Sequence, residues 1–368
     1  MTKAAELAKM GEVLTNGQIG GRRNIIINGA MQVAQRGTST TGVGTADGYF
    51  ACDRWNYGQG GVSQAGRQTI SQSTDTPDEF KNSLKLDCTT ADTSIAAGEA
   101  IIIRQRIEGQ DLAQLKKGTS DAETVTVSFY AKANGNFNYV VELEDVTNTR
   151  HIAHLFSVTS SWQRFTVTFA GDTSGALTLD TASRFALNFW LHGGATYTGG
   201  TLQTTWAGVT AANRAAGISS FNSSTDNEFF LTGVQLEVGS VATPFEHRSF
   251  GEELALCQRY FYRWKTDGEA YSNLCIGGCT STSVARGVAQ LPQIMRSNAS
   301  VSSSGTFRIV SMGGGVRTGI TITINRGHTL QPFMDFSSSG GSNLTAGNPA
   351  EMGANNDNDS IIDFNAEL

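Results

Sequence analysis

The chain has 368 residues, a net charge of −6, 42 Gly, 5 Pro and 16 % charged residues. That composition excludes a coiled-coil rod, which needs far more charge, and a disordered chain, which has few of the aromatics that make up 9 % here. No apolar run is long enough for a membrane helix, and the acidic balance argues against a nucleic-acid backbone as partner.

The first predicted element is a short amphipathic helix near the N-terminus. Leu7, Met10 and Leu14 follow the 3-then-4 spacing of a coiled-coil seam. Two turns are marginal alone, so the stripe meets either copies of itself or a docking surface, or else lies on its own domain. Glu6 and Glu12 interrupt the segment, which is therefore not read as a secretion signal. Residues 1–23 are assigned as an anchoring helix and linker.

Residues 24–247 read as strand after strand. Ile25 and Ile27 flank Ile26 before an Asn28-Gly29 turn. Val125, Val127, Phe129 and Ala131 alternate with polar neighbours, and Asn134-Gly135 then predicts a hairpin to Phe137, Tyr139, Val141 and Leu143. Phe165, Val167 and Phe169 follow Trp162. Phe185, Leu187, Phe189 and Leu191 form one face of a further strand; Asn188, Trp190 and His192 lie on the other. In the last strand the apolar positions step from odd (Phe229, Leu231) to even (Val234, Leu236), which predicts a bulge at Gly233. Strands with one apolar face must pack on a second sheet, so the expected architecture is a sandwich of the jelly-roll kind. The 193–227 stretch is long for a loop and should be functional or hold a short strand.

Ser249 and Glu252 form a capping box for a linking helix over residues 248–261. Beyond it, residues 262–368 alternate again, notably at Ile320, Ile322 and Ile324 and at Ile362, Phe364 and Ala366, and predict a smaller β-sandwich domain. The fold class is all-β with two short helices.

No catalytic template is met: neither a G-x-S-x-G elbow, a P-loop nor H-E-x-x-H occurs. His151 and His154 fall on opposite faces of a strand, which disfavours a metal site. Glu142 and Glu144 share a strand face and read either as a carboxylate pair or as a solvated surface. Asp357 and Asp359 suit a polar hairpin turn or, as the lesser alternative, a Ca²⁺ loop lacking its glycine. The five Cys read as buried, reduced thiols, Cys275 and Cys279 included. No metal, cofactor or enzymatic activity is expected. Binding is the better prospect. Trp190, His192, Tyr197 and Trp206 lie close together among glycines and would serve as a sugar platform, unless Trp190 packs under the long loop or at a subunit interface.

Two motifs carry a resemblance. NIIINGAMQVAQRGTS with Asp53-Arg54-Trp55, and FFLTGVQLEVGSVATPFEHRSFGEELALCQRYF from Phe229, resemble the opening and closing motifs of a domain found in bacteriophage tail-fibre and other virion proteins. AKMGEVLTNGQIGGRR is similar to fibre segments that dock on a tail or capsid protein, and LPQIMRSNAS to stretches of C-terminal fibre domains. The resemblance implies a jelly roll akin to carbohydrate-binding modules and a homotrimer. It implies a virion location after assembly in the bacterial cytoplasm, with the N-terminus docked on another virion protein. Host surface polysaccharide is then the partner, with no membrane insertion. A ligand-free head fibre, collar or adaptor is the alternative, and a polysaccharide depolymerase a more distant one. The motif residues carry structural roles: a turn at Asn28-Gly29, buried packing at Arg54 and Trp55, a strand exit at Pro244-Phe245 and a helix cap at Glu252.

Overall fold

The computed structural model describes Lys3 and residues 23–61, 64–313, 315–340 and 343–368. Leu7, Met10 and Leu14 lie outside the described residues. The chain divides into two compact units, Met1–Glu253 with Leu368, and Leu254–Glu367.

Among its described residues the first unit holds β1 (Ser39–Val43), β2 (Gly48–Tyr49), β3 (Asn56–Gln59), β4 (Arg67–Ser73), β5 (Ser83–Thr90), β6 (Ala100–Glu108), β7 (Val125–Ala133), β8 (Phe137–Asp145), β9 (Arg150–Val158), β10 (Gln163–Phe169), β11 (Ser183–Gly193), β12 (Ala207–Gly208) and β13 (Glu228–Val238). They form two antiparallel sheets, ordered β1-β4-β5-β13-β7-β10 and β12-β9-β8-β11-β6-β3-β2. Within them, β5-β13-β7-β10 and β6-β11-β8-β9 are the two halves of a jelly roll. The inward residues of both sheets make one core, including Phe129 and Leu231 from the first and Val141, Leu143, Phe185 and Phe189 from the second.

Two local expectations are corrected. Asn134-Gly135 does not close a hairpin, because β7 pairs with β10 and β13 while β8 pairs with β9 and β11. The turn carries the chain from one sheet to the other, and both alternating faces then point into the shared core. Residues 23–26 form no strand; Ile25 donates a single backbone bond to Leu236, and it is Ile26 that is fully buried. Asn28 adopts a left-handed turn at φ 56°, and its side chain bonds the backbone of Val33 and Asp53. The step at Gly233 is a bulge: φ is +61° and the β13–β7 register shifts between Thr232 and Gln235.

The helix α1 (Phe250–Gln258) starts at the predicted capping box, with Ser249 N donating to Glu252 at 3.2 Å and Glu252 N to Ser249 Oγ at 3.3 Å.

The second unit contains β14 (Phe261–Lys265), β15 (Asn273–Cys279), β16 (Val284–Val288), β17 (Ser300–Ser304), β18 (Phe307–Ser311), β19 (Gly315–Arg317), β20 (Ile320–Arg326), β21 (Phe333–Ser338), β22 (Pro349–Ala354) and β23 (Ile361–Asn365). A β14-β23-β17 sheet and a β19-β18-β22-β15-β16-β21-β20 sheet share a core of Phe307, Phe336, Met352, Ile362 and Phe364. Cys275 and Cys279 face into this core, and burial pushes the Cys275 thiol up to about 12. Asp357 caps a turn between β22 and β23 by accepting from Thr306 N and Asp359 N. Those strands lie in different sheets, so this turn closes no hairpin.

Candidate functional site: a cleft at the edge of the larger sandwich

Along β9 the inward register runs Ile152, His154, Phe156, Val158. Ile152, Phe156 and Val158 are buried, yet His154 is exposed. His154 lies at a cleft of about 520 Å³, with Thr168, Phe169 and residues 170–174 along one wall and Thr204, Thr205 and Trp206 along another. Trp206 precedes β12, and β12 pairs with β9 by placing Ala207 opposite His151. The indole is half-buried. Its Nε1 donates to the Ala170 carbonyl at 2.7 Å and its ring packs beside Phe185, 6.1 Å between centroids.

Charges beside the cleft are locked together. Arg150 holds Asp172 side-on, Nε at 2.8 Å and Nη2 at 2.9 Å. Lys117 is buried, pairs with Asp145 and lies 3.0 Å from Asp172. Its ammonium also donates to the carbonyls of Ser174 and Gly175 and lies 5.6 Å from the Trp206 ring centroid. Burial pushes the Asp172 carboxyl up, but the bonds from Arg150 and Lys117 outweigh it and hold the group below the usual carboxylate range. A half-exposed indole, an imidazole and hydroxyls in a concave site suit a polar ligand with one apolar face.

The sequence-based platform is split apart. Trp206 lines the cleft. Trp190 and His192 do not face solvent: they are 1 % and 0 % exposed, so the alternative in which Trp190 packs under the long loop holds and the platform reading is corrected for both residues. They occupy the outer face of the second sheet, and the 194–218 segment covers that face. Tyr197 packs on Trp190 at 5.2 Å, and Leu202, Ala215 and Ile218 close the patch. His192 contacts Ser220 Oγ at 2.9 Å, and burial pushes its pKa down against the opposing pull of Glu99.

Glu142, whose position suggested solvent, is fully buried under the same segment. Its carboxylate accepts from Trp190 Nε1 at 2.8 Å, Asn188 Nδ2 at 2.9 Å and Arg214 Nε and Nη2 at 2.8 and 2.7 Å; His151 Nδ1 lies at 2.8 Å. Arg214 also reaches Glu144 at 2.7 Å and lies 5.0 Å from the centroid of the Trp190 ring. Burial alone would raise the Glu142 pKa; Arg214, then His151 and Trp190, bring it down to about 2. This cluster clamps the loop that leads out of β12 and is no open carboxylate pair.

No protein-family model and no curated protein matches the chain. Among solved structures it is similar to a putative sugar-binding protein from Bacteroides thetaiotaomicron, at 13 % identity and TM-score 0.33 over 59 % of this chain and 100 % of that one. It is also similar to TmCBM61 in complex with β-1,4-galactotriose, at 7 % identity and TM-score 0.30 over 59 % and 100 %. A third is the CBM22-1 xylan-binding domain of Paenibacillus barcinonensis Xyn10C, at 11 % identity and TM-score 0.28 over 60 % and 100 %. The strand order itself defines the jelly roll.

Proposed function

We propose that this protein is a bacteriophage fibre component that binds host surface glycan, without cleaving it, through the cleft at Trp206. The observation that carries the binding part is that cleft, where an indole, His154 and the hydroxyls of Thr173, Thr204 and Thr205 converge on one opening. A pyranose offers the matching surface, an apolar ring face with hydroxyls around its rim. Asp172 is committed to Arg150 and Lys117, which leaves it no proton to deliver and favours binding over hydrolysis. The virion role, docking through residues 1–23 and a trimeric state rest on the motif resemblance. In a trimer three weak cleft contacts add up to firm attachment.

Trp206→Ala in the full-length protein is expected to weaken retention on host cell-surface polysaccharide by about tenfold or more. His154→Ala removes an exposed ring and should weaken it with the thermal transition unmoved. Retention unchanged in both variants would overturn the cleft assignment. Light scattering should return the mass of three chains, and a monomer would remove the trimer. Release of reducing ends from the polysaccharide would overturn the non-enzymatic reading.

A further inference from the structure

We infer that the cleft takes an uncharged glycan and discriminates against sugars bearing carboxylate or sulfate groups. This rests on the glycan reading above and follows from how charge is arranged around Trp206.

An anionic sugar needs a cation with charge to spare. Among the described residues, Arg150, Lys117 and Lys116, the lysines and arginine beside this cleft, each already have a carboxylate. Arg150 spends Nε and Nη2 on Asp172. Lys117 spends its donors on Asp145 and the Ser174 and Gly175 carbonyls, with Asp172 at 3.0 Å. Lys116, on the neighbouring turn, pairs with Glu123 at 2.5 Å. Three cations thus meet three carboxylates. Drawing Arg150 toward a sugar carboxylate would pull it from Asp172, whose side chain is buried, and would leave that charge with one partner fewer. The same Asp172 would repel the incoming anion. The remaining polar groups at the opening, the His154 imidazole and the hydroxyls of Thr173, Thr204 and Thr205, include neutral donors and acceptors that bond sugar hydroxyls without any charge exchange.

The ion pairs have a second consequence. They tie the 172–175 turn to β9 and to Lys117, so the wall of the cleft is set before ligand arrives. Affinity then comes from stacking on the indole and from neutral hydrogen bonds, both of which salt leaves largely unscreened.

The test uses the full-length protein on an array of glucose, galactose and mannose oligosaccharides beside galacturonate and glucuronate oligosaccharides of matched length. Retention should favour one or more neutral probes over every acidic one by about tenfold or more. It should change less than about twofold between roughly 50 and 500 mM salt. Asp172→Asn uncovers Arg150 and Lys117 against Asp145 alone and should raise binding of the acidic probes by about fivefold or more. Should that variant fold poorly, the salt series on the unaltered protein decides. Acidic probes bound best, or binding that falls steeply with salt, overturns the inference and leaves the glycan reading standing. No retention on any probe overturns the glycan reading and this inference with it.

Discussion

Glu142 stands on the strand face opposite Tyr139, Val141 and Leu143, where alternation places a solvated carboxylate. Its burial comes from residues far along the chain, above all Arg214, and its net effect is to hold the 194–218 segment on the second sheet. A pKa held near 2 in the folded state, against an ordinary 4.5, makes Glu142 stabilising above the ordinary range; that stability is lost as pH falls toward 2. Glu142→Gln is expected to lower stability at neutral pH by about 3 kcal/mol, because Arg214 keeps its charge and loses its buried partner. The variant should also show a flatter decline between about pH 5 and pH 2. Denaturant melts across that range check both statements, and superimposed curves would remove the clamp. Trp190 shows what could be read from the apolar side: its strand register and the long loop as its cover were legible, but not the residues of that loop, Tyr197, Ala215 and Ile218, that close over it.

At the scale of elements, β13 joins the two motif-bearing ends of the larger unit through one irregularity. Gly233 lies at φ +61°, and a Cβ there would approach the Phe80 ring to 2.7 Å and Tyr130 to 2.9 Å. Gly233→Ala should therefore cost at least about 1–2 kcal/mol in left-handed strain alone, with ring displacement added. Chemical denaturation measures the loss, and a neutral substitution would show that the bulge is not needed. This bulge was legible because a change of parity in an alternating strand leaves few alternatives. The supposed hairpin at Asn134-Gly135 was not. A short Asn-Gly turn reports a change of direction and says nothing about which sheet receives the second strand. The long 193–227 stretch, read as either functional or holding a short strand, does contain a short strand, β12, which pairs with β9 and thereby sets Trp206 at the cleft.

For the whole molecule, each unit owns a separate hydrophobic core, one built around Phe129, Phe185 and Phe189 and the other around Phe336, Met352 and Phe364. Calorimetry of the full-length chain should resolve two transitions, and Gly233→Ala should lower only one of them. A single transition shifted as a block would overturn this. The sequence by itself determined the all-β class, the second β region, the capping box and which residues of most strands face inward. Those features depend on the order of polar and apolar groups over a few residues. Only the tertiary structure decided that Trp190 and His192 are sealed, that Glu142 is caged and that His154, Trp206 and Asp172 surround one opening. The reason is physical. A strand's own pattern names its two faces, whereas what covers a face, and which distant charges cancel beside a cleft, is set by segments brought together only when the sheets close.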